Sequence, residues 1–297
     1  MKRWVKVLLG LVVVVFAAKY FLLDTAATPD GNYTIDLAAL HQAAIAQGGV
    51  LPERIEVEKI GDFAFPRKLV VAGDSFHLHP MVQLAHRVMW PDHSLIIDTA
   101  LGAKKAASIP GSKFHSDAFD RMERAMAKAQ AIVFTHEHSD HVGGVASAPD
   151  FAAIAPKVIM TREQFNGPKL ERDEFPPGSL AQLKLLDYSG LHAVAPGVVL
   201  QKAPGHTPGS QLIYVELQNG TRYLFVGDIA WTEDNVTTGR GRPGIAKLLM
   251  KEDRGAVAAE LVAFAKLPKD VHLVLAHDPV AYERDLAVGL FHQGFTE

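Results

Sequence analysis

The alternation of apolar and polar positions along the chain predicts a layered protein of strands and helices. Five short apolar runs each end in polar or charged residues: "SLIIDTALG" (94–102), "AIVFTHEH" (131–138), "VIMTRE" (158–163), "RYLFVGD" (222–228) and "VHLVLAHD" (271–278). Runs of this length and composition are typical of buried strands. Because ligands in layered α/β proteins collect beyond the carboxyl ends of strands, the polar residues after these runs mark where a site would lie.

Two segments between these runs repeat apolar residues at helical spacing. In "DAFDRMERAMAKAQ" (117–130) and "RGAVAAELVAFAKL" (254–267) the apolar side chains fall on one face, which predicts helices packed on a core. The segment "QLIYVELQNGTRYLFVGD" (211–228) alternates on both sides of an Asn-Gly pair at 219–220, a strong signal for a β-hairpin. Residues 30–297 contain no internal repeat and no linker, so we expect one domain there.

The first 23 residues differ from the rest of the chain. They contain four basic residues and no acidic one, and an unbroken apolar run covers residues 7–18, which is typical of an export signal. If Lys6 and Lys19 snorkel, residues 5–23 are also long enough to span a bilayer and attach the protein to it, with the body outside. We therefore predict an exported protein, periplasmic or anchored in the inner membrane facing outward. Whether the leader (1–23) is a cleaved signal peptide or an anchor stays open.

Composition narrows the class of protein further. With 297 residues, of which 48% are hydrophobic, the chain can bury a large core. Its formal net charge of −3 gives no indication of a nucleic-acid surface. The chain has no cysteine, which excludes disulfides and a lipid-modified cysteine and fits an exported protein.

The stretch "FTHEHSDHVGG" places four candidate metal ligands within six positions: His136, His138, Asp140 and His141. A helix would scatter these side chains, whereas a tight loop after a strand would point them inward together. Neutral imidazole and carboxylate are the usual ligands of zinc, iron and manganese. Because four ligands exceed what one ion with an open position needs from one loop, we predict that this loop serves two metals.

Three further candidate ligands follow in the chain. They are His206 in "APGHTPGS", Asp228 in "LFVGDIAW" and His277 in "VLAHDP", each just past an apolar run or in a turn bounded by Gly and Pro. With "THEHSDHVGG" before them, these motifs resemble, in their order, the metallo-β-lactamase superfamily. The resemblance begins at the strand before Asp98 and ends at His277. It implies an αββα sandwich, with two mixed β-sheets flanked by helices, as the fold of residues 30–297.

The resemblance also implies a role for each candidate residue. Two sets of metal ligands would share one aspartate: His136, His138 and His206 with the bridging Asp228, and Asp140, His141 and His277 with the same Asp228. The cofactors would be two divalent ions, zinc by preference, with manganese, iron or cobalt as alternatives, and a bridging hydroxide would open a lactone or ester. Asp140 and Asp228 would act in catalysis, Asp140 by moving a proton to the leaving group. Asp98 would order the metal loop without binding metal itself.

Residues near the bridging position bear on the substrate. Zinc β-lactamases generally lack an aspartate there, whereas lactonases and glutathione-thioester hydrolases have one. The chain most resembles quorum-quenching N-acyl-homoserine lactonases, which also have an aspartate after the final histidine, here Asp278. They typically place a tyrosine three residues after the bridging aspartate, where this chain has Trp231, whose indole donates a hydrogen bond but is no phenolic acid. We predict a lactonase or esterase acting on a small molecule, with an acyl-homoserine lactone as one candidate.

Three alternatives remain open at this stage. Export favours a zinc β-lactamase, against the evidence of Asp228. A glyoxalase II-like thioester hydrolase would usually carry a helical domain after the last histidine ligand, yet only 20 residues follow His277. A metal-binding membrane protein without catalysis is the third alternative, and the intact set of seven candidate ligands speaks against it. The stretch 237–253 is basic at its start and could edge the cleft, but we interpret it as a solvated loop.

Overall fold

The computed structural model describes residues 3–296, which form strands and helices in the predicted layered order. The helices are α1 (Arg3–Lys19, continued by a wider turn over Tyr20–Asp24), α2 (Leu37–Ala46), α3 (Arg67–Val70), α4 (Ala103–Ala106), α5 (Ser116–Lys128), α6 (Ser139–Ala146), α7 (Phe151–Ile154), α8 (Arg162–Phe165), α9 (Glu233–Thr238), α10 (Ile245–Leu249), α11 (Arg254–Phe264) and α12 (Pro279–Ala287). The strands are β1 (Arg54–Pro66), β2 (Leu78–Met89), β3 (Ser94–Ile97), β4 (Lys113–Phe114), β5 (Ala131–Val133), β6 (Val158–Thr161), β7 (Leu185–Leu186), β8 (Leu191–Ala195), β9 (Val198–Lys202), β10 (Gln211–Glu216), β11 (Arg222–Phe225), β12 (Val271–Val274) and β13 (His292–Gln293).

Within the described residues the strands form two sheets, and both are mixed. The first has eight strands in the order β13-β1-β2-β3-β5-β6-β7, with β4 also paired to β1. Its strands β1 and β2 form a long antiparallel pair, whereas β3, β5, β6 and β7 run parallel. The second sheet has five strands in the order β12-β11-β10-β9-β8, with β11 parallel to β12. Strands β10 and β11 form the predicted hairpin, which turns through Gly220 at φ +84°.

Side-chain alternation along the strands divides the core into three apolar layers. In β3, Ile96 packs with the outer helix α5 and Ile97 packs between the two sheets. In β10, Ile213 packs between the sheets and Leu212 packs with α2 and α11 on the other outer face. Since successive strand residues point to opposite faces, each sheet is covered on both sides. This arrangement of helix, sheet, sheet and helix confirms the predicted αββα sandwich.

The strands end earlier than the apolar runs that predicted them. Strand β3 ends before Asp98, β5 before His136, β11 before Asp228 and β12 before His277. The polar residues at the end of each run are therefore in loops, where their side chains are free of the alternation that a strand would impose. This explains how residues from both sheets meet at one end of the sandwich.

The N-terminal helix lies outside these layers. The helical segment Trp4–Asp24 has 21 residues, is long and apolar enough to cross a membrane, and has no residue of its apolar stretch buried against the rest of the chain. A signal sequence near an N-terminus has the same length and composition. Its last turn contacts the body, where the Gly73 N–H donates to the Leu23 carbonyl at 3.0 Å.

Candidate metal centre

The loops after β5, β9, β11 and β12, together with the first turn of α6, bring the seven candidate ligands together in two groups. The prediction of one tight loop is wrong for Asp140 and His141, which lie in the first turn of α6. The nitrogen and oxygen atoms of each group lie within 4.8 Å of one another. The first group is His136, His138, His206 and Asp228, and the second is Asp140, His141, Asp228 and His277. All of them are buried except His138 and Asp140, which are half-buried.

Asp228 belongs to both groups, and each of its oxygens faces one of them. Oδ1 lies 3.2 Å from His141 Nε2 and 3.1 Å from His277 Nε2. Oδ2 lies 3.4 Å from His206 Nε2 and 3.7 Å from His136 Nε2. A carboxylate oriented in this way has the geometry needed to bridge two cations.

A close backbone approach next to Asp228 explains the glycine before it. Gly227 has φ +50°, and a Cβ at this position would lie 2.7 Å from the side chain of Thr135. A larger residue would therefore push the loop of Asp228 away from the loop that follows β5.

Burial and neighbouring charges set the ionisation of the groups. Burial lowers the pKa of His136 well below its ordinary value and that of His138 to about 3, which keeps both imidazoles neutral. Burial opposes ionisation of Asp228, yet the nearby His277, His136 and His141 hold its pKa well below the ordinary range. Burial would also lower the pKa of His141, but Asp98, Asp140 and Asp228 raise it well above the ordinary value. Metal binding to the second group would thus be coupled to proton release.

Two buried histidine nitrogens bear on whether the candidate ligands fit a cation. Within residues 3–296, Nε2 of His136 and Nε2 of His277 make no hydrogen bond although both are buried, and His277 Nε2 lies near Asp228 only outside hydrogen-bond geometry. Unsatisfied buried polar atoms are costly and rare. Imidazole nitrogens and carboxylate oxygens aimed at a common point are the donor set of zinc and similar divalent metals, so the residues fit such ions.

The second group is held from behind by Asp98 and by the backbone. Asp98 accepts hydrogen bonds from the Thr135 N–H and hydroxyl, both at 2.8 Å, and lies 2.8 Å from His141 Nδ1. Its φ of +57° is uncommon for a residue other than glycine. His277 Nδ1 donates to the Val82 carbonyl at 2.9 Å. Both contacts turn the opposite ring nitrogen, Nε2, toward Asp228.

The first group is held by a buried ion pair that sequence reasoning missed. His206 Nδ1 lies 3.0 Å from Glu252 Oε2, and Arg242 is paired with the same carboxylate. Burial opposes ionisation of Glu252, but Arg242 and His206 lower its pKa. The interpretation of 237–253 as a solvated loop is therefore wrong for Arg242 and Glu252, which are buried. No motif marks them, because a lone arginine and a lone glutamate ten positions apart are usually solvated.

Glu137 is a second residue that sequence reasoning left without a role. It lies between two candidate ligands, is fully buried, and accepts a hydrogen bond from the Thr207 hydroxyl at 2.7 Å. Burial raises the pKa of Glu137 to about 7. It points away from the metal ligands and ties their loop to the loop of His206. The sequence could have indicated this role, because a residue between two inward-facing side chains in an extended segment faces the opposite way.

A cavity of about 350 Å³ opens above the two groups. Its wall is mainly apolar, and the large apolar side chains that line it are Phe63, Phe65, Leu101, Ile109, Trp231 and Met250. The Trp231 ring packs edge-on against His277, with centroids 5.5 Å apart, and the Arg242 guanidinium lies 5.1 Å from its centroid. Trp231 is thus both a packing residue and part of the wall. The Asp140 side chain, 28% exposed, also lines the cavity.

Asp278 lies outside both groups. One of its oxygens accepts the N–H groups of Val280 and Ala281 at 2.9 and 3.0 Å, and the other accepts the N–H of Glu233 at 2.8 Å. These are the contacts of a helix N-cap, which fixes the start of α12 and the start of α9. Its influence on the site passes through the backbone of His277.

Comparisons with known proteins agree with this geometry. The sequence profile of the Metallo-beta-lactamase superfamily matches residues 90–277, so the chain belongs to that superfamily, as the motif order indicated. An N-acyl homoserine lactonase of Bacillus sp. is 30% identical over 104 residues, which is 35% of this chain and 40% of that protein. A hydroxyacylglutathione hydrolase of Cupriavidus taiwanensis is 30% identical over 152 residues, half of each chain. This chain thus spans about 40 to 50% of the length of these curated relatives.

Solved structures of lactonases share the fold. An N-acyl homoserine lactone hydrolase with the product N-hexanoyl-L-homoserine bound at its catalytic metal center has a TM-score of 0.62 and 17% identity, with 79% of this chain and 97% of that chain covered. A quorum-quenching N-acyl homoserine lactone lactonase has a TM-score of 0.61 and 18% identity, with 79% and 96% covered. At this identity the likeness establishes the fold alone.

Proposed function

We propose that the protein is a binuclear metal-dependent hydrolase that opens a lactone or ester. The observation that carries the proposal is the position of Asp228, whose two oxygens each face one group of histidines beneath an apolar cavity. His136, His138 and His206 would hold one ion, and Asp140, His141 and His277 the other. When bound, two divalent ions, preferably zinc, would supply a water that ionises near neutral pH and a Lewis acid for a carbonyl oxygen.

The protein's own residues would orient the substrate and move the proton. The half-buried Asp140 faces the cavity, with Oδ2 3.5 Å from His277 Nε2. From there its carboxylate would take the proton of the attacking water and pass it to the leaving alkoxide. Trp231 and Phe65 would cover the apolar part of the substrate and exclude water from the reacting bond. Related lactonases typically have a tyrosine where this chain has Trp231. The indole of Trp231 packs against His277, so this part of the wall has no acidic hydroxyl.

A lactone or ester with an apolar acyl group is the substrate that fits best. The cavity is large enough for a small molecule, and its wall offers more apolar than polar contacts. The match to N-acyl homoserine lactonases supports a lactone, and the match to hydroxyacylglutathione hydrolases supports a thioester as the second candidate. The helix Trp4–Asp24 supports an exported protein whose domain lies outside the membrane.

A metal count with a substrate panel tests the proposal. Full-length protein would be loaded with zinc or manganese and offered an acyl-homoserine lactone, a simple γ-lactone, an acyl-glutathione thioester and a chromogenic cephalosporin. We expect two metals per chain and turnover of the lactones, both lost on chelation. Asp140→Asn should weaken binding of the second metal and lose most turnover even when excess metal fills both sites. Cephalosporin turnover without lactone turnover would contradict the proposal, and two bound metals without any turnover would favour a binding role.

A further inference from the structure

Four strongly exposed apolar side chains lie in the two segments that contact the end of α1. Phe76 and Leu78, at the end of the loop between α3 and β2, are 63% and 68% exposed. Leu248 and Leu249, at the end of α10, are 71% and 58% exposed. Grouped exposed apolar side chains indicate an interaction surface, whereas single ones do not. Val288 is equally exposed, at 67%, but follows α12 and belongs to neither segment.

The first segment is tied to the last turn of the apolar helix. The Gly73 N–H donates to the Leu23 carbonyl at 3.0 Å, and Lys68 Nζ lies 2.8 Å from Asp24 Oδ1. The same ammonium lies 5.2 Å from the centroid of the Phe76 ring. The loop that carries Phe76 therefore has a fixed position beside the end of the helix.

The second segment is tied to the same turn. The Arg240 guanidinium donates to the Asp24 carbonyl and to the Ala72 carbonyl, both at 2.7 Å. Gly244, just before α10, runs so close to the apolar helix that a Cβ there would lie 2.2 Å from the Phe21 carbonyl oxygen. Only glycine allows this approach. The start of α10 is thus packed directly on the end of α1.

Both segments lead directly into the wall of the cavity. Phe65, two residues before α3, and Met250, the residue after α10, both line it. Lys169 lines it as well and donates to the Leu249 carbonyl at 2.7 Å. The chain segments next to the exposed apolar side chains therefore contribute to the wall of the cavity.

We propose that Phe76, Leu78, Leu248 and Leu249 lie in the surface of the bilayer that α1 crosses, so that the cavity opens at the lipid surface. The substrate would then be an amphiphile whose long acyl chain resides in that bilayer, an inference that rests on the proposed hydrolase function. Leucine and phenylalanine side chains insert at the level of the headgroups.

Two flanking lysines fit the same surface. Lys247 and Lys251 stand on either side of the leucine pair and are both exposed, so they can contact lipid phosphates. An acyl chain that moves from the bilayer into the cavity exchanges one apolar environment for another.

Fluorescence quenching tests the position of this surface without any use of activity. Because the chain has no cysteine, single variants Phe76→Cys, Leu248→Cys and Val288→Cys can each carry one bimane label in the full-length protein. The protein would be placed in nanodiscs of phosphatidylethanolamine and phosphatidylglycerol that contain a lipid with a nitroxide near its headgroup. We expect strong quenching at positions 76 and 248 and little at 288. Equal quenching at all three positions would overturn the proposal.

A comparison of turnover of two substrates tests whether the substrate is an amphiphile of the bilayer. A long-chain acyl ester embedded in the nanodisc would be compared with a short, water-soluble ester of the same alcohol. We expect Leu248→Gln/Leu249→Gln to lower turnover of the embedded ester about tenfold, the equivalent of about 1.4 kcal/mol, and to leave the soluble ester unchanged. Val288→Gln should change neither. Equal effects of the double variant on both esters would overturn the substrate class. No turnover of any ester or lactone by the metal-loaded wild type would refute the proposed function. The quenching result would then decide by itself whether the four side chains lie in the bilayer surface.

Discussion

The two groups of candidate ligands share Asp228 but are supported by different chemistry. Behind the first group stands a buried charged pair, Glu252 with Arg242, which comes from a late part of the chain and contacts His206. Behind the second group stand Asp98, bonded to Thr135, and a backbone carbonyl. The second group is thus held by the residue that follows β3 and by a carbonyl within β2, and the first by a contact that exists only once the segment 242–252 has folded. The difference teaches that the two candidate metal sites need not form or fail together.

Removing the shared carboxylate should have the largest effect, because it breaks both groups at once. In Asp228→Ala the two histidine sets lose their common acceptor, so we expect loss of at least one metal equivalent and of nearly all turnover, on the order of a thousandfold. Metal content by mass spectrometry and steady-state kinetics would measure this. His136→Ala should lose most activity while the second group keeps its ion. Wild-type metal content and activity in both variants would refute the ligand assignment.

Breaking the charged support should affect the first group alone and also destabilise the protein. Glu252→Ala leaves Arg242 buried without its partner, which costs about 3–5 kcal/mol of unfolding free energy. Replacing both residues, in Arg242→Met/Glu252→Leu, removes that unpaired charge and should restore most of the stability. Because neither variant supports His206, both should bind the first metal about 10–100-fold more weakly.

Denaturant unfolding and chelator competition separate these two effects. If the double variant binds both metals as tightly as wild type, Glu252 has a structural role only and does not position His206. In that case the ion pair of Arg242 and Glu252 would affect the stability of the protein but not its metal affinity.

Much of this contrast was accessible from the sequence. A layered arrangement with His136, Asp228 and His277 just past buried strands was predicted from apolar runs that end in ligand-type residues, because strand patterns are encoded locally, whereas the αββα sandwich was implied by the resemblance of the ordered motifs to the superfamily. The αββα fold and the membership of the superfamily are confirmed, while the ligand roles remain predictions. Glu252 and Arg242 were beyond reach, since their burial depends on tertiary contact between the 242–252 segment and the His206 loop. Nothing in their local pattern distinguishes them from surface charges.

Weakening the support of the second group should give the converse result at smaller cost. In Asp98→Asn the side chain keeps its size and still accepts from Thr135, but the negative charge beside His141 Nδ1 is lost. We expect the affinity of the second site to fall about tenfold while the first site is unchanged. Competition with a chromophoric chelator would resolve the two affinities. Equal weakening of both sites would show that the supports are not independent.

A neutral buried carboxyl should make the support of the first group sensitive to pH. Glu260 is buried, and its Oε1 accepts the Gly205 N–H at 3.2 Å, next to His206. Burial raises the pKa of Glu260 from 4.5 to about 8. As the pH rises, this carboxyl therefore ionises in the unfolded chain before it ionises in the folded protein. The stability that the neutral carboxyl contributes to the folded protein is fully present below about pH 4.5 and is lost as the pH rises to about 8.

Replacing this carboxyl with an amide isolates the effect. Glu260→Gln cannot ionise, so its unfolding free energy relative to wild type should rise by on the order of 2 kcal/mol between pH 5 and pH 7. Urea unfolding at both pH values measures the difference, and the measurement at pH 5 serves as the internal control. A pH-independent difference for Glu260→Gln would mean that the carboxyl is already ionised in the folded protein, and the contrast between one charged and one neutral carboxyl behind His206 would be lost.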